Sequence, residues 1–245
     1  LLDEGEDVPL FGLPDFRLEI EELRTGILMD LGDWVQIKNG VEQLSRLKNW
    51  LNNHFERFTM LSGEMADVEL DPIVVDTLVS SFDPVGQLSE SYYPQLFQLR
   101  QKQHQLRQAI EQEMEALLMD STIQSQLQDN FITERNGRFV LPMKKTFRRK
   151  MGISHGVSRS GETIYVEPIS VLPLSNALRE AEAGYQQEIR SILDALSRLV
   201  RRDIDPILNA LQAAGQIDFK RACAVLGRRW RASIPKIGSE GVIFL

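Results

Sequence analysis

The chain of 245 residues has one cysteine, three histidines and no apolar run near the roughly 18 residues that a membrane-spanning helix needs. A disulfide within the chain is therefore excluded. The first residues, Leu1 to Asp7, are acidic, whereas a secretory signal is basic and then apolar. We expect a cytoplasmic protein that does not bind membranes. Cys223 stands in an apolar helical stretch, which predicts a small buried side chain rather than a nucleophile.

Side chains that could assemble a catalytic or metal site are also scarce. His54, His104 and His155 are far apart in the sequence, and the carboxylates between Glu111 and Glu115 are spaced to splay around a helix. No phosphate-binding loop of the form GxxxxGK[S/T] occurs. We therefore expect no catalytic residue, no metal site and no cofactor in these residues.

Charge is present but unevenly distributed, within a formal net charge of −7. Residues 1–130 hold 9 Lys and Arg against 24 Asp and Glu, whereas residues 131–160 hold 8 basic side chains against one acid. A basic segment inside an acidic chain favours local binding to an anionic polymer, because its cations neutralise phosphates. The same segment is also compatible with a solvated face or with an acidic partner surface.

Helical patterns dominate on both sides of this basic segment. Apolar residues at helical spacing predict a helical core subdomain over 1–93. A polar stretch without glycine predicts an outgoing lever helix over 94–130, about 35 residues and roughly 50 Å long. Residues 169–230 are predicted to hold the returning lever helix, from about Leu174 to Asp205, and further core helices. The two apolar seams can pair as an antiparallel coiled coil, and Pro206 would end or kink the returning helix.

Residues 131–168, between the two helices, have the pattern of two β-hairpins. Asn136-Gly137 is a strong signal for a type I′ turn, and a second strand pair flanks the turn from Ser158 to Gly161. Pro142 predicts an edge strand. The predicted fold class is mainly α: a helical core with a long antiparallel coiled-coil lever, capped by a small four-strand β clamp.

Four segments resemble a known family. RNGRFVLPMKKTFRRKMGISHGVSRSGETIYVEP, followed by PLSNALREAEAGYQQEIRSIL, is similar to the clamp and returning lever helix of the MutS family, in particular its bacterial MutS-two branch. GLPDFRLEIEELRTGILM and AGQIDFKRACA resemble core segments of the same branch. The resemblance covers almost the whole chain, and its clamp motif is the most specific part.

The resemblance implies a DNA-embracing, homodimeric ATPase whose levers close around branched or mismatched DNA without reading its sequence. Such a protein would act in DNA repair or in suppression of recombination, or would bind ribosomal RNA on stalled ribosomes. ATP and magnesium would belong to an ATPase domain beginning within residues 231–245, and a nuclease-like domain would also lie outside this sequence. The predicted nucleic-acid contacts are Arg135, Arg138, Lys144, Lys145, Arg148, Arg149, Lys150, Ser158, Arg159 and Ser160.

One position departs from the pattern of the branch, which usually has His-Asp before the serine-rich turn. Here His155 is followed by Gly156. We expect His155 to be a structural histidine rather than a ligand. The alternative function is a structural coiled-coil arm whose seam and acidic base dock a protein partner.

Overall fold

The computed structural model describes residues 8–10, 12–27, 29–147, 151–232, 236–237 and 243–244. They form two compact units, one made of residues up to 89 together with those from 193 onward, and one made of residues 90–192. The described residues are mainly helical with one four-stranded antiparallel sheet, so the predicted fold class is confirmed.

The described residues contain eight helices in chain order. They are α1 (Arg17–Thr25), α2 (Leu31–Asn53), α3 (Thr59–Glu64), α4 (Pro72–Ser81), α5 (Pro94–Met119), α6 (Ser121–Gln124), α7 (Leu172–Val200) and α8 (Ile204–Trp230). The four-stranded sheet consists of β1 (Thr133–Arg135), β2 (Arg138–Lys144), β3 (Gly152–Val157) and β4 (Thr163–Pro168). A separate two-stranded pair joins β5 (Lys236–Ile237) to β6 (Ile243–Phe244).

The first unit is built around α2. Asp30 and Asp33 form a capping box that fixes where α2 begins, because each carboxylate accepts a hydrogen bond from the other residue's backbone N–H at 3.0 Å. Gly40 lies in the middle of α2, where a Cβ atom would stand 2.1 Å from the ring of fully buried Phe16. The glycine is therefore needed for the aromatic ring to pack directly on the backbone of α2.

The helix predicted to continue to Asp205 is interrupted earlier. It ends at Val200, and a 3-10 turn over Arg201–Asp203 leads into α8. Pro206 was predicted to end or kink the returning helix; that helix ends at Val200, and Pro206 lies in the first turn of α8, where its missing N–H is tolerated. The Arg201 side chain donates to the Leu23 carbonyl at 2.9 Å, which joins the interruption to α1.

In the second unit, α5 and α7 pair in opposite directions. Arg100 donates to the Tyr185 hydroxyl at 2.8 Å, and Gln103 donates to the Ala181 carbonyl at 3.1 Å. The lower residue number on one helix meets the higher number on the other, so the predicted antiparallel pairing is confirmed. The outgoing helix is shorter than predicted, with 26 residues, because Asp120 leaves the helical conformation and caps α6 by accepting from the Thr122 N–H.

The four-stranded sheet has the order β1-β2-β4-β3 with antiparallel neighbours. Asn136 and Gly137 both have positive φ, 54° and 70°, as the predicted type I′ turn requires. One face of the sheet packs on α5 and α7. The buried residues of this core are Ile110, Met114, Ile123, Leu127, Leu141, Met143, Ile164, Val166, Val171 and Leu178.

Two further expectations were wrong. Strand β2 is an inner strand although it contains Pro142, because the proline lies beyond the end of β1, where Gln128 N–H donates to the Pro142 carbonyl at 2.8 Å. Cys223 is exposed, not buried, because it lies on the end of α8 where Phe219 and Trp230 also remain exposed.

Within the described residues, none of the helices combines the length and the apolar character that crossing a membrane requires.

Candidate nucleic-acid interface

Arg135 and Arg138, the basic residues of the first hairpin, contact side chains of strand β4. The guanidinium carbon of Arg135 lies 4.3 Å from the centroid of the Tyr165 ring. Arg138 Nη1 lies 3.1 Å from Glu167 Oε1, and the side chain of Arg138 is only 14% exposed. The structure thus gives Arg135 a cation–π partner and gives Arg138 a buried counter-ion.

The other predicted contacts gather at one end of the sheet. Lys144, the last residue of β2, pairs with Thr163, the first residue of β4. The backbone N–H of Lys145 donates to the Glu162 carbonyl at 3.2 Å, which places Lys145 beside the turn between β3 and β4. We call this set the basic tip; it comprises Lys144, Lys145, Ser158, Arg159 and Ser160.

Hydrogen bonds shape the turn of the basic tip from within. The Ser158 N–H donates to the Thr163 carbonyl at 2.9 Å, and the Thr163 N–H donates to Ser158 Oγ at 3.1 Å. The Gly161 N–H closes the turn on the Ser158 carbonyl at 2.9 Å, and Gly161 has φ +77°, which favours glycine. Ser158 is therefore largely occupied in holding the turn, whereas Arg159 and Ser160 are exposed at its outside.

The two lysines of the basic tip differ in their surroundings. Lys144 is exposed and its ammonium donates to the Ser125 carbonyl at 2.9 Å, a bond that leaves further N–H groups for other acceptors. Lys145 is exposed as well. Arg148, Arg149 and Lys150, which the sequence also predicts as contacts, lie outside the described residues.

A buried carboxylate on β4 contacts side chains of both neighbouring strands, and it was not predicted from the sequence. Glu167 is 1% exposed: its Oε1 is 3.1 Å from Arg138 Nη1 on β2, and its Oε2 is 2.7 Å from His155 Nε2 on β3. Because a carboxylate accepts, His155 Nε2 carries the proton in this contact. The structural role expected for His155 matches this geometry. The sequence offered one signal for this site: residues alternate between the two faces of a strand, which puts Glu167 on the same face of β4 as Tyr165.

The side chains of the basic tip can bind anions. Exposed cations and hydroxyl groups suit the phosphate oxygens of a nucleic-acid backbone.

No family model matches the chain. It is similar to proteins named Endonuclease MutS2: 28% identical over 249 residues to that of Symbiobacterium thermophilum, 30% over 243 residues to that of Geobacillus thermodenitrificans, and 26% over 238 residues to that of Aquifex aeolicus. These matches cover 96 to 99% of the chain but only 30 to 31% of each relative, so the chain spans about three-tenths of their length.

Over nearly all of its residues the chain is therefore similar to MutS2 proteins. Its similarity lies with the MutS2 branch, and the resemblance seen in the sequence is confirmed.

Proposed function

We propose that this chain contacts the sugar–phosphate backbone of duplex DNA through the basic tip, as the clamp-bearing part of a MutS2-type protein. The observation that carries the proposal is the convergence of Lys144, Lys145 and Arg159 at one end of the sheet. Exposed cations on a short, well-ordered turn can approach phosphates without deforming the sheet.

Recognition of this kind is independent of base sequence. Contacts to phosphates position a protein on the duplex, whereas side chains that reach the base edges specify sequence. The groups of the basic tip are lysine, arginine and serine side chains, which suit phosphate oxygens equally well at any base pair. We expect similar affinity for duplexes of different sequence.

The test is a double charge reversal, Lys145→Glu with Arg159→Glu, measured by fluorescence anisotropy with a labelled duplex across a salt series. The slope of log K against log salt concentration is negative, and each lost phosphate contact reduces its magnitude by about 0.9, so the magnitude should fall by roughly 2. Affinity at low salt should fall by about tenfold or more, because release of counterions supplies much of the binding free energy.

The matched control is Lys102→Glu with Arg190→Glu, which makes the same charge change on exposed positions of α5 and α7 in the same unit. It should retain most of the affinity and a slope near that of the parent. Equal losses in the two double variants would show that net charge, not the basic tip, governs binding, and would contradict the proposal.

The identity of the polymer is a separate outcome of the experiment. Phosphates of DNA and of structured RNA offer the same acceptors, so a ribosomal RNA duplex and a four-way DNA junction are measured in parallel. Tighter binding to the RNA would replace DNA with ribosomal RNA in the proposal. The alternative function is a structural arm that docks a protein partner. If a long polyanion does not displace such a partner from the chain, this alternative is favoured.

Other activities are proposed for the longer proteins only. The relatives are named endonucleases, and the resemblance implies ATP hydrolysis with magnesium, homodimerisation, and a role in DNA repair, recombination suppression or ribosome rescue. The residues of this chain do not fit a nucleoside triphosphate, because the sequence contains no GxxxxGK[S/T] loop. We therefore derive no catalytic step for this chain.

A further inference from the structure

We infer that His155, through its contact with buried Glu167, is a positioning residue that sets the basic tip for phosphate binding. The inference rests on the proposed function, since it concerns the same turn. It assigns to His155 an indirect role, in which the imidazole holds strand β3 and touches no phosphate.

The first support is the burial pattern of β3. Ile153, Ser154, Gly156 and Val157 are exposed, with the two apolar side chains 51% and 53% accessible. Strand β3 is therefore not held by apolar burial. His155, with 20% of its side chain exposed, is the residue of β3 whose side chain reaches a buried partner.

The second support is the local irregularity of the backbone. The register between β3 and β4 shifts between Ser154 and Val157, and Gly156 within the shift has φ +137°. An irregularity of this kind disrupts the ladder and leaves residues of the bulged strand unpaired. His155 lies within the shift, and the contact of its Nε2 with Glu167 Oε2 at 2.7 Å holds the strand there.

The third support is the short distance along the chain from this contact to the basic tip. Beyond the register shift, Val157 is the only residue of β3 that pairs with β4 before the turn begins at Ser158. The charged groups that face this part of the sheet are Glu167 on β4 and Arg138 on β2, with Arg135 stacked on Tyr165. Losing the imidazole leaves Glu167 with Arg138 alone and leaves β3 without a buried side-chain contact.

The test compares His155→Ala, His155→Gln and the control Ser154→Ala in the full chain, with the same duplex and salt series. The alanine variant should bind roughly five- to tenfold more weakly, the fold-change that corresponds to the loss of about one ordinary hydrogen bond. Its salt slope should stay near that of the parent, unlike that of Lys145→Gln, whose magnitude should fall by about 0.9. Glutamine can place an amide N–H near the former Nε2 and should restore most of the affinity. Ser154→Ala should behave as the parent.

The outcomes separate the inference from the proposed function. If the parent binds no duplex, the proposed function fails. If the parent binds and His155→Ala binds equally well, or its slope falls as for Lys145→Gln, the positioning role is overturned. Circular dichroism establishes whether the alanine variant is folded. Should it be unfolded, glutamine is compared with His155→Asn, whose shorter amide cannot reach Glu167; equal affinities would then overturn the inference.

Discussion

At the scale of single residues, the cations of the clamp fall into two groups with different roles. Arg138 is largely buried against Glu167, whereas Lys145 and Arg159 are exposed at the basic tip. A guanidinium whose charge is already balanced inside the sheet contributes to folding rather than to phosphate binding. Positive charge in the sequence is therefore an incomplete guide to which side chains meet the backbone of a nucleic acid.

Arg138→Gln tests this division. The substitution removes the guanidinium beside buried Glu167, so the free energy of unfolding should fall by roughly 3 kcal/mol, as when a buried ion pair is broken. Urea unfolding measures the loss, and the salt slope for duplex binding of the folded variant should not change. Arg198→Gln, which removes an exposed pair with Asp194, should cost less than about 1 kcal/mol. Similar losses for the two variants would contradict the buried role of Arg138.

Gly156→Ala probes the irregular backbone of β3. The φ of +137° belongs to a region that is essentially confined to glycine, so the variant should lose about 1 to 3 kcal/mol of stability. A Cβ at this position meets no atom within 4 Å, which makes the expected loss one of backbone strain alone. Gly63→Ala in α3 has equal space without positive φ, and should be neutral or slightly stabilising. Thermal unfolding of both variants decides the point.

The same glycine gives a physical reason for the departure from the MutS-two pattern. An aspartate after the histidine would have to adopt the φ that the structure assigns to Gly156. The sequence could show the departure, but only the backbone conformation shows its consequence.

At the scale of elements, features that depend on neighbouring residues were predicted from the sequence, whereas contacts between residues far apart in the sequence were not. The hairpin at Asn136-Gly137 was predictable because its turn depends on two adjacent residues with positive φ. The pair of Arg138 and Glu167 joins residues 29 apart, and alternation along β4 gives the face on which Glu167 lies but not its partner. Asp120 was overlooked as a cap because the surrounding residues continue the helical pattern. Pro142 predicted an edge strand because the sequence does not show where β1 ends; β1 pairs with β2 only as far as Val140, before the proline.

Helix α2 carries a carboxylate whose titration contributes to stability. Burial acts to raise the pKa of Glu42, but the hydrogen bond and charge of Lys38 and the nearby Arg46 outweigh it, so the pKa lies below its usual value. A lowered pKa stabilises the fold at pH values above the unfolded pKa, and the contribution is lost as pH falls through the folded pKa. We expect Glu42→Gln to be less stable than the parent at pH 7, and the difference to shrink as pH falls below the ordinary pKa of a glutamate. Urea unfolding across this pH range, with exposed Glu56→Gln as the control, tests this; a difference that does not shrink would exclude it.

At the scale of the whole molecule, the chain corresponds to about three-tenths of its MutS2 relatives. The resemblance implies a dimer whose interface lies mostly in a nucleotide-binding module, and this sequence has no phosphate-binding loop. We therefore predict that the chain by itself is monomeric or weakly associating. Sedimentation velocity over a concentration series checks this, and a tight dimer at micromolar concentration would contradict it.

The exposed thiol of Cys223 has a practical consequence for all of these measurements. It is the only cysteine of the 245 residues, and it lies on the surface of α8 in the first unit, whereas the basic tip belongs to the second. A maleimide dye would therefore attach at one known position without mutagenesis. Paired with a dye on the nucleic acid, it would report binding through energy transfer without a label on the surface proposed to bind.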